Sequence, residues 1–117
     1  MNRFINAGKI LTTDPVDFFT CGSDSQSTTI QAVVHTLFFS TTNLDPNTKG
    51  HVTVQVYDAS TGETFNIGYL LTVLPHDTLS FDKPINLDTG DVLRLMADRD
   101  DEIHAFASIL QIVPMSL

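Results

Sequence analysis

The sequence predicts an all-β fold, an antiparallel β-sandwich of about eight strands with jelly-roll or immunoglobulin-like character. Three observations lead to this prediction. β-Branched and aromatic residues occur in short runs, turn-forming residues separate these runs at fairly even intervals, and helical periodicity is hard to find. A length of 117 residues is enough for one packed core and too short for two. We therefore expect residues 1–117 to form a single domain.

The first part of the chain is predicted to contain two short strands after an N-terminal arm. Residues 8–13 and 16–21 have the composition of strands, and an Asp-Pro pair separates them. Proline cannot donate a hydrogen bond to a strand ladder, so a break in pairing is expected there. Residues 1–7 lie outside the strand pattern and are expected to form the arm, whereas the polar residues 22–26 predict a turn.

Residues 27–41 are predicted to form a long strand with apolar side chains on both faces. Successive residues of a strand point to opposite faces. One face then carries Ile30, Ala32, Val34 and Phe38, and the other carries Val33, Leu37 and Phe39. A thin sandwich buries one of these faces, so the other needs a covering layer, either a neighbouring subunit or a loop or arm of the same chain. In the first case the candidate subunit interface is Val33, Leu37 and Phe39.

The remainder of the chain is predicted to alternate between strands and turns as far as Pro114. The predicted strands are residues 51–57, 64–74, 78–81, 85–87, 92–97 and 103–113. Strict alternation in the first of these predicts one buried face and one solvent-exposed face, and a polar turn joins it to the second as a β-hairpin. Gly68 lies where a bulge or a close backbone approach is expected.

Charge and cysteine content exclude several classes of function. The formal net charge is −8, and the 6 basic residues are scattered along the chain, so we expect no nucleic-acid-binding surface. Cys21 is the single cysteine, which excludes an intrachain disulfide and predicts a reduced, partly buried thiol. Because no signal-peptide pattern or membrane-length apolar run occurs, we expect folding in a cytoplasm and no membrane association.

No motif in the sequence predicts catalysis, a metal site or a cofactor. The acidic residues Asp98, Asp100, Asp101 and Glu102 lie in a stretch that lacks the glycine and the distal acid of a helix-loop-helix calcium site, and this stretch is expected to form a solvated hairpin tip. The four histidines are not at zinc-ligand spacings, and no serine lies in a nucleophile-elbow context. With no tryptophan and only two tyrosines to stack on a sugar ring, carbohydrate binding is also not expected.

The order of these features resembles a group of small β-sandwich structural proteins of tailed bacteriophages, many of them marine and cyanobacterial phages. The matching stretches span most of the chain and are residues 18–22, 30–43, 52–57, 73–77, 85–92 and 107–112. Two positions depart from the group's pattern, since Gly22 replaces a proline and Gln111 replaces an acidic residue.

This resemblance implies a non-enzymatic virion protein that folds in the host cytoplasm. It would decorate or cement the capsid, or belong to the neck or tail, as a homo-oligomer in contact with other virion proteins and without catalytic residues or cofactors. One alternative is a receptor- or glycan-binding module of a tail fibre, which clustered exposed aromatic residues beside a groove would favour. The other alternative is a small hydrolase, which a histidine and acid pair in a pocket would favour.

Overall fold

A computed structural model describes residues 2–22 and 30–113 and contains nine β-strands, with no helix in the described residues. The strands are β1 (Asn2–Ile10), β2 (Val16–Thr20), β3 (Gln31–Thr41), β4 (Gly50–Asp58), β5 (Glu63–Val73), β6 (Thr78–Ser80), β7 (Ile85–Leu87), β8 (Val92–Ala97) and β9 (Ile103–Ile112). The predicted turn at residues 22–26 and the predicted strand start at 27–29 lie outside the described residues, apart from Gly22.

The strands form two antiparallel sheets, which confirms the predicted β-sandwich. Sheet A has the order β1-β9-β3-β6, and β7 also pairs with β3, beside β6 on the same edge. Sheet B has the order β2-β8-β4-β5. The β4–β5 hairpin predicted from strict alternation is present. No helix in residues 2–22 or 30–113 is long and apolar enough to cross a membrane.

The core lies between the two sheets and is made almost entirely of aliphatic side chains. Its largest fully buried members are Phe39, Leu11, Leu37, Leu87, Leu93, Leu95, Ile103, Ile109, Val34, Val52, Val54 and Val73. Each fully buried side chain of this size contributes about 1.5–3 kcal/mol through removal of apolar surface from water. Alternating residues of β4, β8 and β9 supply this face, as the period-2 pattern predicts.

Asp91 connects three chain segments at one end of the sandwich, through its carboxylate and its backbone carbonyl. Asp91 is 8% exposed, and it accepts hydrogen bonds from the backbone N–H groups of Ala59 (3.0 Å) and Asp88 (2.9 Å). Its carbonyl oxygen accepts a third from the N–H of Cys21 (2.9 Å). A buried carboxylate needs such partners to offset the loss of its hydration, and these bonds connect loops that are distant in sequence.

The N-terminal residues form a strand, so their prediction as an arm outside the strand pattern is wrong. Asn2–Ile10 pairs with β9 in unbroken antiparallel register, from Asn2 opposite Ile112 to Ile10 opposite His104. The predicted strand at residues 8–13 is correspondingly shifted, and Leu11 is anchored in the core with its N–H bonded to the carbonyl of Ile103 (2.8 Å). The pairing partner lies at the far end of the sequence, where local patterns give no signal.

Gly68 occupies a bulged part of the hairpin, as predicted. The β4–β5 register shifts on both sides of the Val54–Gly68 pair. A Cβ atom at Gly68 would lie 2.8 Å from Cδ1 of Leu71 and 3.1 Å from Cε1 of Phe81. No side chain fits there without displacement of its neighbours.

Candidate interaction surfaces

A row of four polar side chains, the polar ladder, crosses the outer face of sheet B. Asp17, Arg94, Gln55 and Asn66 lie side by side across the four strands β2, β8, β4 and β5. Nε of Arg94 donates to Oδ1 of Asp17 (2.8 Å), and Nε2 of Gln55 donates to Oδ1 of Asn66 (2.8 Å). These side chains form two hydrogen-bonded pairs, so the centre of this face is suited to contact with water.

The outer face of sheet A is apolar. Phe38 of β3 lies directly opposite Phe106 of β9, and Val33 lies opposite Leu110 in the same pair of strands. The two phenylalanines are 40% and 44% exposed. We call these four residues the apolar face. Val33 and Leu110 are partly buried, and the Thr36–Ser108 pair lies between them and the two phenylalanines. The exposed phenylalanines are of the kind that marks an interaction site.

The apolar face corrects the interface predicted from the sequence. The predicted residues Leu37 and Phe39 are 1% and 0% exposed and belong to the core, whereas Phe38, predicted on the opposite face, is exposed. The cause is a β-bulge, because the β3–β9 register shifts between Val34 and Thr36. The extra residue exchanges the faces of all residues that follow it. Only Val33 of the predicted set lies on the outer face.

Sequence reasoning missed the two members of the apolar face that belong to β9. Phe106 and Leu110 lie on the outer side of a strand whose inner side is buried from Ile103 to Ile109. The sequence did contain a signal for this surface, because residues 103–112 carry apolar groups at both odd and even positions, as residues 30–39 do. Two adjacent strands that are apolar on both faces predict a covered or contacting outer surface.

A cleft of about 580 Å³ opens at the edge of the sandwich, between the β4–β5 hairpin and the segment from Phe81 to Asp91. Phe65 and Ile67 line one wall and are 46% and 41% exposed. The remaining lining residues are Val56, Asp58, Ser60, Phe81, Lys83, Pro84, Ile85, Asn86, Asp88 and Asp91. The cleft thus combines an apolar wall with the carboxylates of Asp58, Asp88 and Asp91 and the ammonium group of Lys83.

The carboxylates of the predicted hairpin tip have separate partners. Asp98 accepts bonds from the backbone N–H of His51 (3.0 Å) and contacts its ring Nδ1 (3.0 Å), whereas Asp100 accepts a bond from the N–H of Thr13 (2.8 Å). Burial would raise the pKa of Asp98, but the bonds from His51 outweigh it and lower that pKa. In the described part of the chain no three His, Cys, Asp or Glu side chains are grouped as metal ligands.

Cys21 is completely buried, more deeply than the partly buried thiol predicted. Its Sγ donates a hydrogen bond to the carbonyl oxygen of Ile30 at 3.2 Å. Burial, reinforced by the negative charges of Asp91 and Asp88, raises the pKa of the thiol to about 11. The thiolate needed for nucleophilic or disulfide chemistry is therefore scarce at neutral pH.

Comparison with known proteins gives similarity at the level of the fold. No family model matches the sequence, and no curated protein matches it. One similar solved structure is a protein of the endospore appendages of Bacillus, which are described as a novel family of disulfide-linked pili. It superposes with a TM-score of 0.54 and 13% identity, over 98% of this chain and 88% of that chain. The two chains share their overall architecture.

Proposed function

We propose that this chain is a non-catalytic structural protein of a tailed-bacteriophage particle, a decoration protein of the capsid or a component of the neck or tail. It folds in the host cytoplasm and docks on other virion proteins through the apolar face, alongside further copies of itself. The observation that supports the proposal is the pair of half-exposed phenylalanines on the two central strands of sheet A. Phe38 of β3 and Phe106 of β9 lie opposite each other there. The centre of sheet B carries hydrogen-bonded polar pairs instead, and its exposed apolar residues Phe65, Ile67, Tyr69 and Leu70 lie on the edge strand β5.

The strength expected of this contact suits a particle that repeats it many times. Complete burial of a phenylalanine contributes about 1.5–3 kcal/mol, and Phe38 and Phe106 each keep about two-fifths of their surface exposed. Covering either ring therefore yields about 1 kcal/mol, which is too little for a tight isolated complex. Symmetric arrays strengthen weak contacts by presenting many of them together.

The fold and the sequence resemblance support the same kind of role. The order of strand and turn motifs resembles small virion proteins, and the fold is shared with a protein of a pilus, which is an assembled structure. A disulfide link between copies is not part of this proposal. Cys21 is the single cysteine, and it is 0% exposed with a raised pKa.

The cleft favours a second candidate function, which is a receptor- or glycan-binding module of a tail fibre. Phe65 is 46% exposed in the cleft beside polar side chains such as Asn86 and Ser60. This mixture of aromatic and hydrogen-bonding groups is typical of ligand sites.

Immunogold electron microscopy tests the structural role. Antibodies raised against the purified chain are applied to phage particles from a lysate of the host. We expect gold at regular positions on the capsid, neck or tail. Label only at the tips of tail fibres would favour the receptor-binding function, and a chain present only in the soluble fraction would contradict both functions.

A further inference from the structure

β1 presents a long, regular and unpaired strand edge. Its nine residues pair with β9 without a register shift, and no strand of the described residues pairs along its other side. Edge strands of soluble proteins are usually short, bulged or covered, because unpaired backbone N–H and C=O groups attract a further strand. β1 is long and has no bulge, and among the described residues its protection consists of the charged side chains Arg3 and Lys9. Such charges oppose pairing with an ordinary strand, and a partner that supplies carboxylates removes this opposition.

The chemistry of β1 differs from that of the rest of the chain. Arg3 and Lys9 are the only charged residues among residues 1–13, in a chain whose formal net charge is −8. Phe4 and Ile10 are 73% and 51% exposed. Phe4 and Ile10 lie on one face of β1, and Arg3 and Lys9 lie on the other. Within the described residues the strand therefore offers an apolar face, a cationic face and an unpaired backbone edge between them.

The cleft carries the complementary features at the other side. β1 is the first strand of sheet A, whereas β7 belongs to its far edge and β5 is the last strand of sheet B on the same side as the cleft. Apolar side chains of Phe65 and Ile67 are exposed there. Asp58 and Asp88 contribute negative charge at the rim, and Lys83 is the one cation among the lining residues.

We propose that the β1 edge of one copy docks in the cleft of a second copy, so that copies join head to tail. The inference rests on the proposed function as an assembling virion protein and names a second copy of this chain as the occupant of the cleft. Arg3 and Lys9 then bring positive charge to the carboxylates of Asp58 and Asp88 from one face of β1, and Phe4 on its other face contacts Phe65 and Ile67. β1 keeps its pairing with β9, because only its free edge takes part.

A head-to-tail contact leaves one β1 edge and one cleft unoccupied at the ends of every open oligomer. Such heterologous contacts produce a ring when the rotation closes and an open chain when it does not. The apolar face lies on β3 and β9 and borders β1, where Phe4 is opposite Leu110. Phe38 and Phe106 take no part in the proposed contact and remain available to the particle.

The test exchanges the charges of the two surfaces. In the first variant Arg3→Glu and Lys9→Glu reverse the charge of β1. In the second variant Asp58→Asn and Asp88→Lys reverse the charge of the cleft, and the asparagine preserves the acceptor that Asp58 offers to the N–H of Ser60. Sedimentation velocity is recorded for the wild type, for each variant alone and for an equimolar mixture, with circular dichroism as the control for folding.

We expect the wild type to form oligomers and each folded variant to need at least a tenfold higher concentration to do so. The mixture should recover wild-type association, because each altered surface then meets an altered partner of opposite charge. A monomeric wild type, variants that associate normally or a folded mixture that stays monomeric would each overturn the inference. Particle labelling is independent of this result, so it separates failure of the inference from failure of the proposed function.

Discussion

Phe38 and Phe39 are neighbours in the sequence on opposite faces of β3, and their replacement by alanine is predicted to have very different costs. Phe39 is 0% exposed, so Phe39→Ala removes a large core side chain and leaves a cavity. Such substitutions cost about 3–5 kcal/mol. That loss is a large share of the roughly 5–15 kcal/mol by which a domain is stable.

Phe38→Ala should cost much less. About three-fifths of the ring is buried, given its 40% exposure, which corresponds to about 1–2 kcal/mol of transfer free energy. No cavity term is added, because water reaches the site. Urea unfolding of both variants, at concentrations where the chain is monomeric, measures the difference directly.

The reverse order of the two costs would refute the bulge in β3. Without the extra residue in the β3–β9 register, the faces would alternate as the sequence alone predicts. Phe38 would then share the core with Val34, and Phe38→Ala would be the more destabilising change. Equal costs would show that both faces of β3 are covered within the monomer.

Three further substitutions test the interior contacts. Asp91→Ala should destabilise the fold by about 3 kcal/mol in urea unfolding, because two backbone N–H groups lose a charged acceptor; a loss below about 1 kcal/mol would contradict this role. His51 holds the pKa of Asp98 below its ordinary value. Ionised Asp98 therefore stabilises the fold at pH values above the unfolded pKa of about 3.9. This contribution to stability is lost as the pH falls through the lowered pKa of the folded state. Asp98→Asn should therefore reduce stability at pH 6 and flatten its decline below pH 4, and an unchanged acid profile would refute the linkage. Cys21→Ala should cost about 1 kcal/mol or less and leave assembly intact, and loss of assembly in this variant would show a role for the thiol.

Strand positions were largely predictable from the sequence because they depend on local patterns. The alternation of Val52, Val54 and Val56 predicts β4, and turn residues predict the hairpin to β5. The Asp-Pro pair correctly marks the end of pairing before β2, which begins at Val16. These signals depend on residues only a few positions apart.

The interaction surfaces could be predicted only in part, because they depend on bulges and on distant pairing. The expectation of an apolar outer surface on the long strand was sound, but the bulge near His35 decides which side chains occupy it. Nothing in the local sequence shows that a bulge lies between Val34 and Phe38. The face of each residue after the bulge could therefore not be assigned from the sequence. The cleft likewise depends on the irregular register of β5 beside Ile67, and the β1 edge depends on a partner about one hundred residues away.

Binding of the purified chain to phage particles that lack it tests the apolar face most directly. Cosedimentation would compare the wild type with Phe106→Asp and with Tyr69→Asp. The second variant is the control, because it places the same charge at an exposed aromatic position of sheet B, where Tyr69 is 64% exposed. The wild type and the control should bind with similar affinity, and Phe106→Asp should bind at least tenfold more weakly while remaining folded. Undiminished binding of a folded Phe106→Asp variant, or equal loss in the control, would contradict the assignment of the apolar face as the surface that docks on the particle.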